Sequence, residues 1–362
     1  MKDILSELNG KDYIENLNID YDIHFCKEGE VNELVEFIDN YWRKDHIFVL
    51  SRKLLDWQHY DSVNRRYNFV IAKHKLSGEI HSILGFVPTY QFDDKIDNTE
   101  VWPCIWKSRD DIHVKGLGVA LYYYLKSNIE IETISILGIS EVALSIYKHW
   151  NFSTGKIEHY YYPNKKAKEV LSSNRQICSC AKKMNKIHWH IRQMTPKEYV
   201  DISPFEKIFG KISKYKSKKF YINRYLNHPI YKYVFYAIEN GDELNSIMIT
   251  RECGNTVSKC LRIVDYIGDE QDLCNVSGDL QALVERRNYE YIDFVVVGIS
   301  SKILESAGFI NRMDDPKTII PNYFEPFQKE NIDLDYAFKT VNPEVKALFY
   351  KADADQDRPN II

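Results

Sequence analysis

The sequence predicts an α/β protein built from two tandem copies of one unit, each a mixed central sheet flanked by helices. Three blocks carry that reading, because each occurs twice and in the same order. "IHFCKEGEVNELVEFI" (23–38) and "IRQMTPKEYVDI" (191–202) both read as a strand followed by a helix. "YNFVIAKHKLSGEIHSILGF" (67–86) and "KYVFYAIENGDELNSIMITR" (232–251) are paired alternating runs around Ser-Gly and Asn-Gly turns. "TISILGISEVALSIYKHWNF" (133–152) and "DFVVVGISSKILESAGF" (293–309) are a buried strand, a Gly-Ile-Ser link and a helix. The spacing between partners is about 160 to 170 residues, and a chain of 362 residues suits two domains. The expected division is 1–163, a lysine-rich solvated linker over 164–186, and 187–362.

In order, the first copy reads as strand 21–26, helices 29–42 and 52–60, and strands 67–74, 79–88 and 101–107. A glycine loop, helix 116–128, strand 131–138, helix 140–150 and strands within 152–162 follow. The loop runs into the helix as "HVKGLGVALYYYL" (113–125), with Gly116 and Gly118 one residue apart. A Rossmann unit places its glycines after the first strand, and here three or more strands come first. A P-loop needs Gly-Lys-Ser/Thr, whereas Val119 and Ala120 follow Gly118. Both nucleotide motifs are excluded. Two readings remain: an ordinary loop-to-helix join with a packing glycine, or a helix start whose backbone N–H groups and dipole favour an anion, with no Cβ at the two glycines to block its approach.

This succession of strand, basic loop, Gly-x-Gly, helix, strand, helix and Asn-Phe resembles the GNAT acyltransferase superfamily. His113, Val114, Lys115, Gly116, Leu117, Gly118 and Val119 match its Arg/Gln-x-x-Gly-x-Gly/Ala loop, with His113 standing where Arg or Gln is usual. The resemblance covers 21–162 and is weaker over 187–352. There the equivalent stretch keeps Gly278 followed by Asp279, an acidic residue that would repel a pyrophosphate at a helix start. It implies one acyl-CoA site, in the first copy, and a degenerate second copy that shapes an acceptor cleft.

The implied reaction is attack of an amine on the thioester of acetyl-CoA or another acyl-CoA. Residues 113–119 would cradle the pyrophosphate. A backbone N–H of strand 101–107 would polarise the carbonyl, with Trp106 the expected position. Tyr147 is either the proton donor to the departing thiolate or a core tyrosine. The general base is left open among Glu79, Asp110, Asp111 and His113, with Asp111 included in the expected catalytic set. Among tandem proteins of this kind, "ILGFVPTYQFD", "WPCIWK" and "DADQDRPN" resemble acyltransferases of bacterial surface-polysaccharide biosynthesis. That implies a small amino-sugar acceptor, nucleotide-linked. Aminoacyl transfer from charged tRNA and a non-catalytic binding role are the alternatives.

Bulk properties narrow the classes. Net charge is −4 with 28% charged residues, and no basic stripe interleaved with aromatics favours nucleic acid. No apolar run approaches the roughly 18 residues of a membrane span. Seven scattered cysteines and a polar N-terminal stretch lead to the expectation of reduced thiols in a cytoplasm. Cys178 and Cys180 lack the spacing of a zinc site, and "DADQDRPN" (353–360) lacks the glycine and glutamate of a calcium loop, so no metal is expected. The latter segment is expected to be a solvated tail or to fold back onto a bound amino sugar.

Overall fold

The computed structural model describes residues 17–96, 99–176, 184–203, 205 and 216–360. They fall into two compact units: one from residues within 17–136, 339–342 and 359–360, the other from residues within 137–338 and 343–358.

In the first unit, strands β1 (Tyr21–Lys27), β3 (Arg66–His74), β4 (Ile80–Pro88), β5 (Glu100–Ser108) and β6 (Thr133–Leu137) lie side by side in that order. A short β2 (Tyr60–Asp61) pairs with β3. All pairs are antiparallel except β5–β6, which is parallel. The β3–β4 hairpin closes through the expected Ser-Gly turn, with Gly78 at φ 71°. Helices α1 (Val31–Phe37), α2 (Ile47–Leu50) and α3 (Arg52–His59) bury Leu34, Phe37, Phe48, Leu54 and Leu55 against Tyr67, Phe69, Ile71 and Ile83 of the sheet. Helix α4 (Leu117–Asn128) covers the other face, where Tyr124 meets Phe25 edge-on at 5.4 Å.

The second unit holds α5 (Glu141–His149), β7 (Ser153–Lys156), β8 (Glu158–Pro163), β9 (Trp189–Met194), α6 (Pro196–Asp201) and α7 (Lys218–Tyr221). The hairpin β10 (Tyr233–Asn240) and β11 (Glu243–Gly254), then β12 (Lys259–Ile267), α8 (Ser277–Arg286), β13 (Tyr291–Val297) and α9 (Ser301–Ala307) continue it. Short strands β14 (Ile310–Asn311) and β16 (Phe349–Tyr350) and the longer β15 (Asp335–Thr340) complete the elements. The main sheet runs β14-β8-β13-β12-β11-β10-β9, with β16 on β13; β7 pairs with β15.

The recurring Asn-Phe and Gly-Phe motifs have one cause. Asn151 (φ 57°) and Gly308 (φ 104°) take the left-handed conformation that ends α5 and α9. The next N–H then reaches back five residues, from Phe152 to Tyr147 O at 3.1 Å and from Phe309 to Leu304 O at 2.9 Å.

Three differences from the sequence reading concern what the second unit takes in. Strand β8, expected to finish the first copy, pairs with β13 from Tyr291↔Pro163 to Val296↔Glu158. Both faces of that sheet are covered, so Tyr160 and Tyr162 join one core cluster and Tyr161 another. Residues 164–176 are no solvated linker. The buried Glu290 carboxylate accepts the backbone N–H groups of Val170, Leu171 and Ser172 at 2.8–3.1 Å, and Arg175 donates to the carbonyls of Asn164, Ala167 and Glu290. The C-terminal aspartates are not solvated either. Asp353, Asp355 and Asp357 are all buried, and their charges are met by Lys216, Arg358 and Arg251. Asp355 and Asp357 each face an arginine, and Asp353 shares Lys216 with Asp265. Cys178 and Cys180 lie outside the described residues.

Candidate active site

The first unit has a wedge in its sheet; the second unit's parallel β12–β13 ladder also ends early, after Ile263↔Phe294, but there β16 pairs with β13 at Val296 and Val297. The parallel β5–β6 ladder holds two pairs, Glu100↔Thr133 and Val101↔Ile134. Beyond them, among the described residues, the two strands continue without pairing to each other. A parallel ladder that stops while its strands run on leaves backbone N–H and C=O groups facing the gap, where a ligand can meet them. On the other edge of β5 the register slips. Leu84 faces Trp106 while Phe86 faces Pro103, so Cys104 and Ile105 form a bulge opposite Gly85. Bulges re-aim backbone groups beside functional sites. Gly85 is required there, since a Cβ would lie 2.6 Å from the Phe69 ring and 3.1 Å from Cys104 Sγ.

At the far end of β5 the chain turns through 109–116 into α4. Gly116 is the N-cap, at φ 79°, and no side chain caps the helix. Among the described residues no side chain therefore meets the first-turn N–H groups of α4. His113 and Lys115 are exposed beside it, Val114 and Val119 are half-buried, and Leu117 is buried in the core. Gly118 has a different reason to be glycine. A Cβ there would lie 3.0 Å from Trp106 Nε1 and 3.3 Å from Ser108 Oγ, because α4 packs closely on β5. Trp106 Nε1 donates to Gly118 O at 3.1 Å, and its ring stacks on Tyr122. The indole of Trp106 therefore positions the helix start.

Arg109 anchors the loop. Its backbone N–H donates to His81 O at 2.9 Å, its guanidinium lies over the Tyr41 ring at 4.6 Å, and it pairs with Glu79 and bidentately with Asp111. The exposed Asp111 carboxyl is held below the usual carboxylate range by Arg109, which makes it a weak base. Asp110 is likewise engaged, by Lys107 at 2.6 Å. The sequence reading missed a better-placed carboxylate. Glu100 sits at the closed end of the wedge, buried, and accepts from Ser135 Oγ at 2.6 Å. Its position could be found only from the strand pairing, because "NTEVWPC" carries no motif.

Tyr147 belongs to the second unit. It is buried on α5, with its ring 5.0 Å from Phe152 and 5.9 Å from Trp150. The second copy's helix start is filled by protein groups. Asn185 Oδ1 accepts the Asp279 N–H at 2.9 Å, and Asp279 itself accepts the Ile191 N–H. A 3₁₀ turn over Glu270–Val276 replaces a glycine loop. No cluster of three or more metal-ligating side chains occurs among the described residues, and none of their helices is long and apolar enough to cross a membrane.

No family model matches this sequence, and no curated protein matches it. Solved structures do. A GCN5-related N-acetyltransferase from Anabaena variabilis superposes with a TM-score of 0.57 at 10% identity, over 89% of this chain and 73% of its own. A conserved protein of unknown function from Enterococcus faecalis V583, named a probable N-acyltransferase, gives 0.50 at 8% identity, over 89% and 73%. At such identities the likeness speaks for the fold: this chain has an α/β fold of the GCN5-related N-acetyltransferase type.

Proposed function

We propose that the chain is an acyl-CoA-dependent N-acyltransferase with a single donor site, in the first unit. The carrying observation is the β5–β6 wedge that opens beyond Val101 and Ile134, with the uncapped start of α4 following β5. A CoA pyrophosphate on the N–H groups of α4 would leave the pantetheine arm to pair with the free edge of β5. The thioester then comes to the bulge at Cys104–Ile105, whose N–H groups would polarise its carbonyl. The neutral amine attacks the carbonyl carbon, the C–S bond breaks, and the thiolate takes a proton. Glu100 is the proposed acceptor of the ammonium proton, directly or through water.

The acyl group we assign is acetyl, and the acceptor an amino sugar, nucleotide-linked, in surface-polysaccharide synthesis in the cytoplasm. The sequence resemblance supports this choice. The test is calorimetry with acetyl-CoA on the wild type and on Gly116→Asp. Binding near one equivalent, lost in the variant, is the expected result; no binding of acetyl-CoA or longer acyl-CoAs by the wild type would overturn the reading. A screen of amino sugars for thiol release then tests the acceptor.

A further inference from the structure

The second unit contains a cleft of about 440 Å³ beside β10 and β11, to which nothing above assigns a role. We infer that it binds a phosphorylated sugar. Its volume lies within the roughly 300–1,000 Å³ of small-ligand sites.

The charges in its wall are unevenly satisfied. Arg251 is buried, with 7% of its surface exposed, and its Nε and Nη2 donate to Asp357 at 3.2 and 2.6 Å. Its remaining nitrogen, Nη1, has Glu325 Oε1 at 3.8 Å, beyond hydrogen-bond reach, and no other partner among the described residues. The guanidinium is fixed by stacking on Tyr231, 3.9 Å from the ring centre. Lys232 and Arg287 also line the cleft. Arg287 donates to the neutral Gln193 at 2.7 Å, and among the described residues neither cation forms an ion pair. The lining carboxylates, in contrast, are engaged: Glu252 by Lys259 and Tyr289, Glu325 by Tyr231. One cleft thus gathers a pre-oriented buried donor and two unpaired cations, the chemistry that receives a phosphate.

The rest of the wall describes what carries that phosphate. Tyr231, Tyr236 and Tyr289 also line the cleft, Tyr231 stacked by Arg251 and His228, and Tyr236 and Tyr289 buried. Glu252 and Glu325 retain lone pairs that accept from hydroxyl groups but would repel a second anionic group. Hydroxyls and a single anionic group are the features of a sugar phosphate.

The inference goes beyond the acyltransferase reading and does not rest on it. The test is calorimetry on the full chain, without acyl-CoA, using a hexose 1-phosphate, the free hexose and inorganic phosphate. The hexose 1-phosphate is expected to bind more tightly than either fragment. The Lys232→Ala/Arg287→Ala double variant, altered only at exposed side chains, should lose about tenfold or more in affinity while its melting temperature stays put. Gly116→Asp should leave this binding unchanged, so failure here and failure of the donor site are separate results. Absence of binding, equal binding of phosphate alone, or full affinity in the double variant would overturn the inference.

Discussion

The indole N–H of Trp106 donates to the carbonyl oxygen of Gly118 at 3.1 Å, joining the strand that would carry a thioester to the helix that would hold its pyrophosphate. The bond exists because Gly118 has no Cβ to keep the ring away. A Gly118→Val substitution puts a branched side chain into a gap that an added Cβ already fills at 3.0 Å. It should destabilise the protein by about 1–3 kcal/mol through overpacking, read as a shift of the urea midpoint. Trp106→Phe keeps most of the ring, loses the bond, and should cost about 1 kcal/mol. The double variant should lose less than the sum of the two single losses, since the smaller ring gives the valine room; full additivity would mean that the two residues do not share the strain.

Glu100 tests the chemistry apart from binding. Glu100→Gln keeps an oxygen to accept from Ser135 but can take no proton. With acetyl-CoA affinity unchanged, turnover of a competent amine should fall by roughly 10²–10⁴-fold. A variant that keeps full kcat across the pH range would remove Glu100 from the mechanism.

Glu290 tests the packing of residues 164–176. Its buried carboxylate serves three backbone N–H groups together with the hydroxyls of Ser172 and Ser258 at 2.5 and 2.9 Å. Those bonds hold its carboxyl below the ordinary glutamate value despite burial. Glu290→Ala strands all of these donors, so a loss of about 3–5 kcal/mol is expected. The 165–172 stretch should become cleavable by trypsin at Lys165, Lys166 and Lys168 under native conditions. Unchanged resistance would show that other contacts suffice.

Local pattern made much of the first unit legible. The hairpin and strand expected at 67–74, 79–88 and 101–107 occur at 66–74, 80–88 and 100–108, and the helix expected at 116–128 begins one residue later. These elements are specified by neighbours in sequence: alternation, a turn glycine, a capping glycine. The misplaced pieces depend on partners far along the chain. "EHYYYP" has apolar residues for two covered faces, which fits either sheet, and only Asp293 and its neighbours on β13 decide which. The acidic tail reads as solvated because its counter-charges, Lys216 and Arg251, stand more than 100 residues away. Likewise the helix start could be seen in Gly116, whereas the buried carboxylate at Glu100 emerges only once β5 is paired with β6.

Arg262, 1% exposed, grips Asp293 through Nε at 3.1 Å and Nη2 at 2.6 Å, and His159 Nε2 meets the same carboxylate at 2.9 Å. His159 Nδ1 is buried with no hydrogen-bond partner, the arrangement of a neutral ring donating from Nε2. Burial pushes His159 below its ordinary value, and Arg262 with His159 holds Asp293 at about 2, against 3.8 for a free aspartate, despite its burial. Both groups bind protons more readily in the unfolded chain, so stability must fall as the pH is lowered. The histidine contribution begins to be lost below about pH 6.5. The aspartate contribution, on the order of 2 kcal/mol, is whole above about pH 4 and drains away toward pH 2. Urea midpoints measured from pH 7 to pH 3 should therefore decline in two stages. His159→Gln should make the upper stage shallower and leave the lower one, with His228 and His81, which burial also lowers, carrying the remainder; a profile identical to the wild type would mean that the His159 ring does not titrate on unfolding.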